Sequence, residues 1–480
     1  MRYILDEKFI LCGFRRLPFA LRNEETKQVH FCGKQEFAFL FSCSGKVDVD
    51  LSSHSEQVRL FAEGLLVEKV IREAADGETR DLSYVEYPNI YKHDVQWSVT
   101  GACNYRCKHC FQSATHCVLG APSLGECLDV VRQLDECGIK LVAVTGGEPL
   151  IRSDLFEIFD EMLRRDMAVT TIYSNGKLIT QEFLDKLKVR NMHPGFQISF
   201  DGVGYHDWMR GVDGAERIAL NAFRLLHQNG FHVVSAMCLC RENVGSIRET
   251  VKTLASVGCT GLKLQCCMPQ GEWKNQPEHF LSYDETLQAY LDYLPAYQED
   301  GCPLDLQMEG FFAYSKEYGY GIPSCKHAKN EEALHLLPPC GVIYSSLYIG
   351  PNGAVVPCMS MCGTPIEKQF PNLSQMSLQQ ILTESSYTEL TGKKADYLLN
   401  RNPDCVSCDR RLDCCSGCRA FATGGDGEDY FAVDPITCKI LKEGWDKKVT
   451  ILAEALFPKQ TQKPEETKDG MECESAMPIC

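Results

Sequence analysis

No stretch of eighteen consecutive apolar residues occurs in the chain, so a membrane-spanning helix is not expected. The opening residues MRYILDEKF lack the charged-then-apolar layout of a secretory signal, and a soluble, cytoplasmic protein is the expectation. Positive charge is scarce as well. Lys and Arg total 49 against 65 Asp and Glu, for a net charge of −16. Phosphate backbones and anionic membranes are held by basic faces, so neither nucleic acid nor membrane is an expected partner.

Cysteine, by contrast, is abundant, at 27 residues. A cytosolic compartment keeps thiols reduced, so metal ligation explains the clustered ones better than disulfides do. The scattered Cys12, Cys43, Cys238 and Cys259 read as small buried hydrophobes. With 44% hydrophobic residues over 480 positions, the chain can bury a sizeable core across about three domains.

Four regions follow from the patterning. Residues 1–80 open with the strand-like runs YILDEKFILCGF, FALRNEE and KQVHFC. Two helical patterns come next, KQEFAFLFSCSG and HSEQVRLFAEGLLVEKVI, giving a small winged-helix-like α+β unit. Residues 81–94 lack a clear period and read as a linker. From 95 to 320, strand and helix patterns alternate through VQWSVT, LVAVTG, AVTTIYS, FQISF, HVVSAMCL and GLKLQC, each intervening helix closed by glycine. The expected fold is α/β, a partial (β/α)6 barrel of the TIM type, with its site at the C-terminal ends of the strands. Residues 321–445 lose periodicity and concentrate cysteine, as in a region stapled by metal. Residues 446–480 are expected to form a C-terminal helix and then a polar, disordered tail.

After the first barrel strand comes VTGACNYRCKHCF, with Cys103, Cys107 and Cys110 crowded in one loop. TGGEP (145–149) closes the second strand, SNG (174–176) the third and SFDG (199–202) the fourth, all at the same rim. Three thiolates can hold three irons of a four-iron cube and leave the fourth iron open. Half of a zinc site, completed by His109 or His116, is the competing reading. Gly146 and Gly147 would let backbone approach a bound small molecule, and Glu148 would offer a rim charge to a cationic amine.

The spacing Cys103-x3-Cys107-x2-Cys110 with GGEP after the second strand resembles the radical S-adenosylmethionine superfamily over roughly residues 95–300. The resemblance implies a 4Fe-4S cluster on those cysteines. Its open iron would chelate S-adenosylmethionine, whose reductive cleavage gives a 5′-deoxyadenosyl radical. It further implies cofactor contacts from His109, from Gly146, Gly147, Glu148 and Pro149, from Ser174 and Asn175, from Ser199 and from Arg210.

A second set runs Cys340-x12-Gly353-x4-Cys358, then Cys405-x2-Cys408-x5-Cys414-x3-Cys418, and Cys438. It resembles the SPASM extension of radical enzymes, which carries two auxiliary 4Fe-4S clusters, three clusters in all. The resemblance assigns Cys340, Cys358 and Cys418 to the first and Cys405, Cys408, Cys414 and Cys438 to the second. The first lacks a fourth thiolate. Cys325 is the candidate, ahead of Cys302 and Cys362, with an open iron as the alternative, and Cys415 is a bystander. A zinc ribbon would explain only part of this spacing.

Relatives of this kind modify peptides or proteins. The resemblance implies a crosslink, a thioether above all, in a ribosomal precursor peptide whose leader would dock on the N-terminal unit by strand addition. It also implies an external flavodoxin- or ferredoxin-like electron donor. The related sulfatase-maturating enzymes place a basic aspartate after the cysteine matching Cys358, where this chain has Met359, so that oxidation is the secondary reading. A non-catalytic iron–sulfur or zinc-binding protein is the alternative from another class.

Overall fold

Short strands at the N-terminus build two small sheets. β1 (Tyr3–Leu5) is the first strand, β2 (Phe9–Phe14) and β3 (Leu17–Asn23) form a hairpin, and β4 (Val29–Phe31) follows. Helices Lys34–Ser42 and Glu56–Val67 come next, the second capped by the Ser55 hydroxyl. β5 (Ile71–Glu73) then pairs antiparallel with β1. β6 (Tyr84–Tyr87) completes a four-stranded sheet in the order β4-β3-β2-β6. The segment 81–94 is therefore more than a linker, because β6 lies parallel to β2 inside the N-terminal sheet. The computed structural model describes residues 1–323, 327–424 and 427–457, so Cys325 and the expected tail beyond 457 lie outside the described residues.

The barrel strands are β7 (Asp94–Ser98), β8 (Leu141–Thr145), β9 (Ala168–Ser174), β10 (Gly195–Ser199), β11 (Val233–Leu239) and β12 (Gly261–Cys266). They pair in parallel, each with the next, as the alternation requires. Among the helices between them, Leu155–Arg164 buries Leu155, Ile158, Phe159 and Met162, one stripe at helical spacing. Each such side chain contributes about 1.5–3 kcal/mol of transfer free energy.

The sheet is larger than six strands. β13 (Asp305–Met308) adds in parallel to β12, and β14 (Phe312–Ser315) and β15 (Gly319–Gly321) extend that edge antiparallel. On the opposite edge, β16 (Ser346–Ile349) returns from the cysteine-rich region to lie parallel to β7, followed by β17 (Val355–Val356). The eleven strands form one open sheet, and the cysteine-rich region is continuous with the barrel. Lys92 pins that junction. Its buried ammonium donates to the carbonyls of Ile343 (2.6 Å), Tyr344 (3.1 Å) and Ser346 (3.0 Å).

The N-terminal unit docks through Asn89, whose amide donates to the Cys137 carbonyl at 3.0 Å. Tyr87 lies against Gly138, where a Cβ would stand 2.8 Å from its ring and φ is +74°. The C-terminal helix is Trp445–Leu456. Among the described residues, no helix is long and apolar enough to cross a membrane.

Candidate active site

β7 delivers the cysteine loop to the rim of the sheet. Cys103, Cys107 and Cys110 are half-buried and unbridged. The Tyr105 amide donates to the Cys103 sulfur at 3.4 Å, and the Ala114 amide to that of Cys110 at 3.3 Å. The Arg210 guanidinium donates to the Cys107 sulfur at 3.6 Å. Burial pushes the Cys103 thiol up to about 12 and raises Cys107, and each would be further opposed by its neighbours' charge. Two desolvated thiols that disfavour ionisation, a third beside them and N–H donors aimed at all three sulfurs suit a cationic iron–sulfur group.

A single zinc ion fits less well. Sulfurs sharing one tetrahedral zinc lie about 3.8 Å apart, from Zn–S bonds of ~2.3 Å. Among the described residues, the one group of His, Cys and carboxylate atoms lying within 4.8 Å of one another is His109, Asp201 and Cys238. The three loop sulfurs do not all lie within that distance of one another.

The GGEP segment seats against this loop. Gly147 N–H donates to the Thr100 carbonyl at 2.8 Å, and Glu148 N–H to that of Ala102 at 2.9 Å. A Cβ on Gly147 would stand 2.2 Å from the Ala102 carbonyl oxygen, and one on Gly146 would stand 2.7 Å from that of Thr100. The close approach that glycine permits here is to the cysteine loop's own backbone. Pro149 is buried at the start of the turn Pro149–Ile151.

Glu148 differs from the expected rim charge in its burial. It is 0% exposed, so it offers no rim charge. Its carboxylate accepts from the Ser174 hydroxyl (2.9 Å), the Asn175 amide (2.8 Å) and the Leu150 amide (3.2 Å). Burial pushes its pKa up to about 7, against the pull of those donors. The Asn175 side chain in turn donates to Asn104 Oδ1 at 2.7 Å. Ser174 and Asn175 therefore lash the third strand's rim to the second and to the cysteine loop.

Ser199 ends β10 half-buried, two residues before Asp201, which no motif of the sequence marks as a charge at the rim. Asp201 is fully buried and organises this side of the rim. Its Oδ2 lies 2.6 Å from Arg210 Nε and 3.8 Å from His109 Nε2, and its Oδ1 accepts from the Cys238 amide at 3.0 Å. Burial would raise Asp201, but Arg210, His109 and His206 together bring it below its usual value. Arg210 is thus fixed by Asp201 and Cys107. Its five N–H donors exceed those two partners.

The second cysteine set divides in space. Cys405, Cys408, Cys414 and Cys438 line one cavity of about 280 Å³ with Arg410, Arg411 and Asp434. Cys340, Cys358 and Cys418 face one another elsewhere, close enough that Cys340 and Cys358 help raise the Cys418 thiol, after burial. Cys302 packs instead against Tyr297 and Tyr314. Cys362 is buried in the core beside Glu367. Neither of these joins the group of three. Cys415 sits in a separate apolar cluster with Leu334 and Leu399.

Between the loop thiols and that group lies the inner face of the sheet. The alternating burial of β11 puts Val233, Ser235, Met237 and Leu239 in the protein and turns Cys238 the other way. Lys263 stands near enough to Cys358 and to Glu309 to stabilise both charges. Lys263 and Glu309 belong to no motif that singles them out in the sequence, and Cys238, expected as a small buried hydrophobe, is half-buried here.

Residues 97–254 match the radical SAM superfamily, and residues 340–418 match SPASM, an iron–sulfur cluster-binding domain. An AdoMet-dependent heme synthase of Nitratidesulfovibrio vulgaris is 25% identical over 361 residues, covering 71% of this chain and 91% of that protein. Mycofactocin maturase MftC of Mycolicibacterium smegmatis is 27% identical over 351 residues, covering 71% and 82%. The crystal structure of Streptococcus suis SuiB bound to precursor peptide SuiA superposes with a TM-score of 0.60 at 13% identity, covering 90% of this chain and 99% of that one. The chain carries a radical SAM domain followed by a SPASM domain.

Proposed function

We propose that the protein is a radical S-adenosylmethionine enzyme that installs a crosslink, most simply a thioether, in a ribosomally made precursor peptide. The observation that bears most weight is the placement of Cys103, Cys107 and Cys110 at one rim of an open sheet whose inner face leads on to Cys358. On this reading Cys103, Cys107 and Cys110 hold a 4Fe-4S cluster and the other two groups hold auxiliary clusters. When bound, the first cluster with S-adenosylmethionine supplies a 5′-deoxyadenosyl radical able to abstract hydrogen. The chain's own residues position the reactants. Arg210 fixes Cys107, Asp201 fixes Arg210, and Glu148 locks the second and third rims against the loop.

Two further points support a peptide substrate. The overlap with SuiB covers 90% of this chain, more than the barrel and cysteine-rich regions together, so it extends into the N-terminal unit. That unit presents β4 as a sheet edge, which a leader strand can join through backbone hydrogen bonds. Met359, next to Cys358 in the turn Met359–Met361, cannot accept a proton, which disfavours the sulfatase-type oxidation. The similarity to heme synthases keeps a small-molecule substrate as the second reading. A soluble cytoplasmic location and a flavodoxin- or ferredoxin-like donor complete the proposal.

Anaerobic reconstitution tests it. About twelve irons per chain, three four-iron clusters, with reductive cofactor cleavage and a mass loss of two hydrogens from a cysteine-containing precursor peptide are expected. Zinc without iron, or cleavage coupled to a porphyrin and to no peptide, would reject it.

A further inference from the structure

The segment after β12 crosses the mouth of the site as a strap. Its Gly271, at φ +54°, passes so close to the cysteine loop that a Cβ would stand 2.3 Å from the Cys110 carbonyl oxygen. The Glu272 amide donates to that carbonyl at 3.0 Å, and the Gln276 amide group to the Lys108 carbonyl at 3.0 Å. The Gln270 side chain reaches the Ser360 carbonyl at 3.4 Å, in the turn beside Cys358. The strap thus touches both cysteine groups that flank the inner face.

Cys267 is the root of this strap. β11 and β12 are in register with Cys238 opposite Gln265, so Cys267, two residues on, shares the face of Cys238. The two thiols are hydrogen-bonded to each other. Both residues are half-buried, and they pack with Trp208 and Trp273. Cys266 points the other way, to Thr286 on the neighbouring helix. Cys240 is fully buried.

We propose that Cys238 and Cys267 form a redox-reactive dithiol, a modification site distinct from the three cysteine groups, which low-molecular-weight disulfides convert to an intramolecular disulfide that fastens the strap. The Cys238 thiolate attacks the reagent disulfide, whose S–S bond breaks and releases one reagent thiolate. Cys267, losing its proton to solvent, then attacks the Cys238 sulfur of the mixed disulfide. The Cys238–Cys267 bond forms, the second reagent thiolate leaves, and two electrons have passed from the pair to the reagent. The hydrogen bond from Cys267, helped by His109, holds Cys238 below the ordinary thiol range despite burial, which favours Cys238 as the attacking sulfur. Cys267 stands beside it as the resolving thiol. The site requires no assumption about the substrate.

The test treats the anaerobically reconstituted holoenzyme with oxidised glutathione, within the range where its iron content is unchanged. Differential alkylation and peptide mapping then read the thiols, and hydrogen exchange reads residues 268–280. The expected result is one reversible disulfide between Cys238 and Cys267, at least tenfold slower exchange in the strap, and quenched tryptophan fluorescence restored by dithiothreitol. Cys267→Ser should retain a glutathionyl adduct on Cys238 and show no slowing, whereas Cys266→Ser and Cys240→Ser should behave as wild type. Free Cys238 and Cys267 after treatment, or a bond made instead by Cys240 or Cys266, would overturn the proposal.

Discussion

Arg210 Nε stands 2.6 Å from Asp201 Oδ2, and this ion pair joins the end of β10 to the sulfur of Cys107 through the same guanidinium. Asp201 is completely buried, so removing its partner leaves an uncompensated charge. Arg210→Ala is expected to cost about 3–5 kcal/mol, read as a lowered Tm of the metal-free chain. Asp201→Asn combined with Arg210→Ala should recover part of that loss. An unchanged Tm in the single variant would show that the pair is not structural.

Glu148 makes stability depend on pH. Its folded pKa lies near 7, above its ordinary 4.5, so the folded state binds more protons across that interval. Its contribution is therefore fully present below about pH 4.5 and is lost as pH rises through about 7, by at most about 3 kcal/mol. Glu148→Gln lacks this titration. The stability of wild type relative to the variant should fall from pH 5 to pH 8 in urea unfolding, and a constant difference would contradict the buried carboxylate.

Two glycines should respond oppositely to alanine. In Gly147→Ala the new methyl meets the Ala102 carbonyl oxygen, a backbone atom that cannot swing aside, so the rim loops must part. A loss of about 1–3 kcal/mol and reduced iron uptake at the loop are expected. Gly125 lies exposed in helix Leu124–Glu136 with Ser123 Oγ 4.0 Å from the added Cβ. Gly125→Ala should be neutral or stabilising by up to about 1 kcal/mol, with normal iron.

Lys92→Met tests the join between barrel and cysteine-rich region. The variant keeps the side chain's bulk but strands the carbonyls of Ile343, Tyr344 and Ser346. A cost of about 1–3 kcal/mol is expected, with faster hydrogen exchange confined to β16 and its surroundings. Uniform exchange across the chain would refute a local latch.

The six barrel strands were legible because each is a short apolar run closed by turn residues and followed by an amphipathic helix. β13 to β17 were not. Each has two to four residues, and β16 pairs with β7 some 250 positions away, a contact no local pattern reveals. β6 escaped for the same reason, its alternation YVEY being too brief to count. At the site, spacing picked out the cysteine groups, which repeat at fixed intervals, but could not say which way Glu148 or Gly147 faced. Glu148 was read as an exposed charge because an acidic residue in a rim loop usually is one; here three donors compensate its burial. Cys238 was read as a small hydrophobe because a lone cysteine in a strand carries no motif, and its partner lies on the next strand.

The central claim is that Cys103, Cys107 and Cys110 hold an iron cluster that cleaves S-adenosylmethionine. Measuring iron and 5′-deoxyadenosine together in anaerobically reconstituted Cys103→Ala tests it most directly. The account predicts about eight irons in place of about twelve, and no 5′-deoxyadenosine above background. Full iron with wild-type 5′-deoxyadenosine in that variant would contradict it.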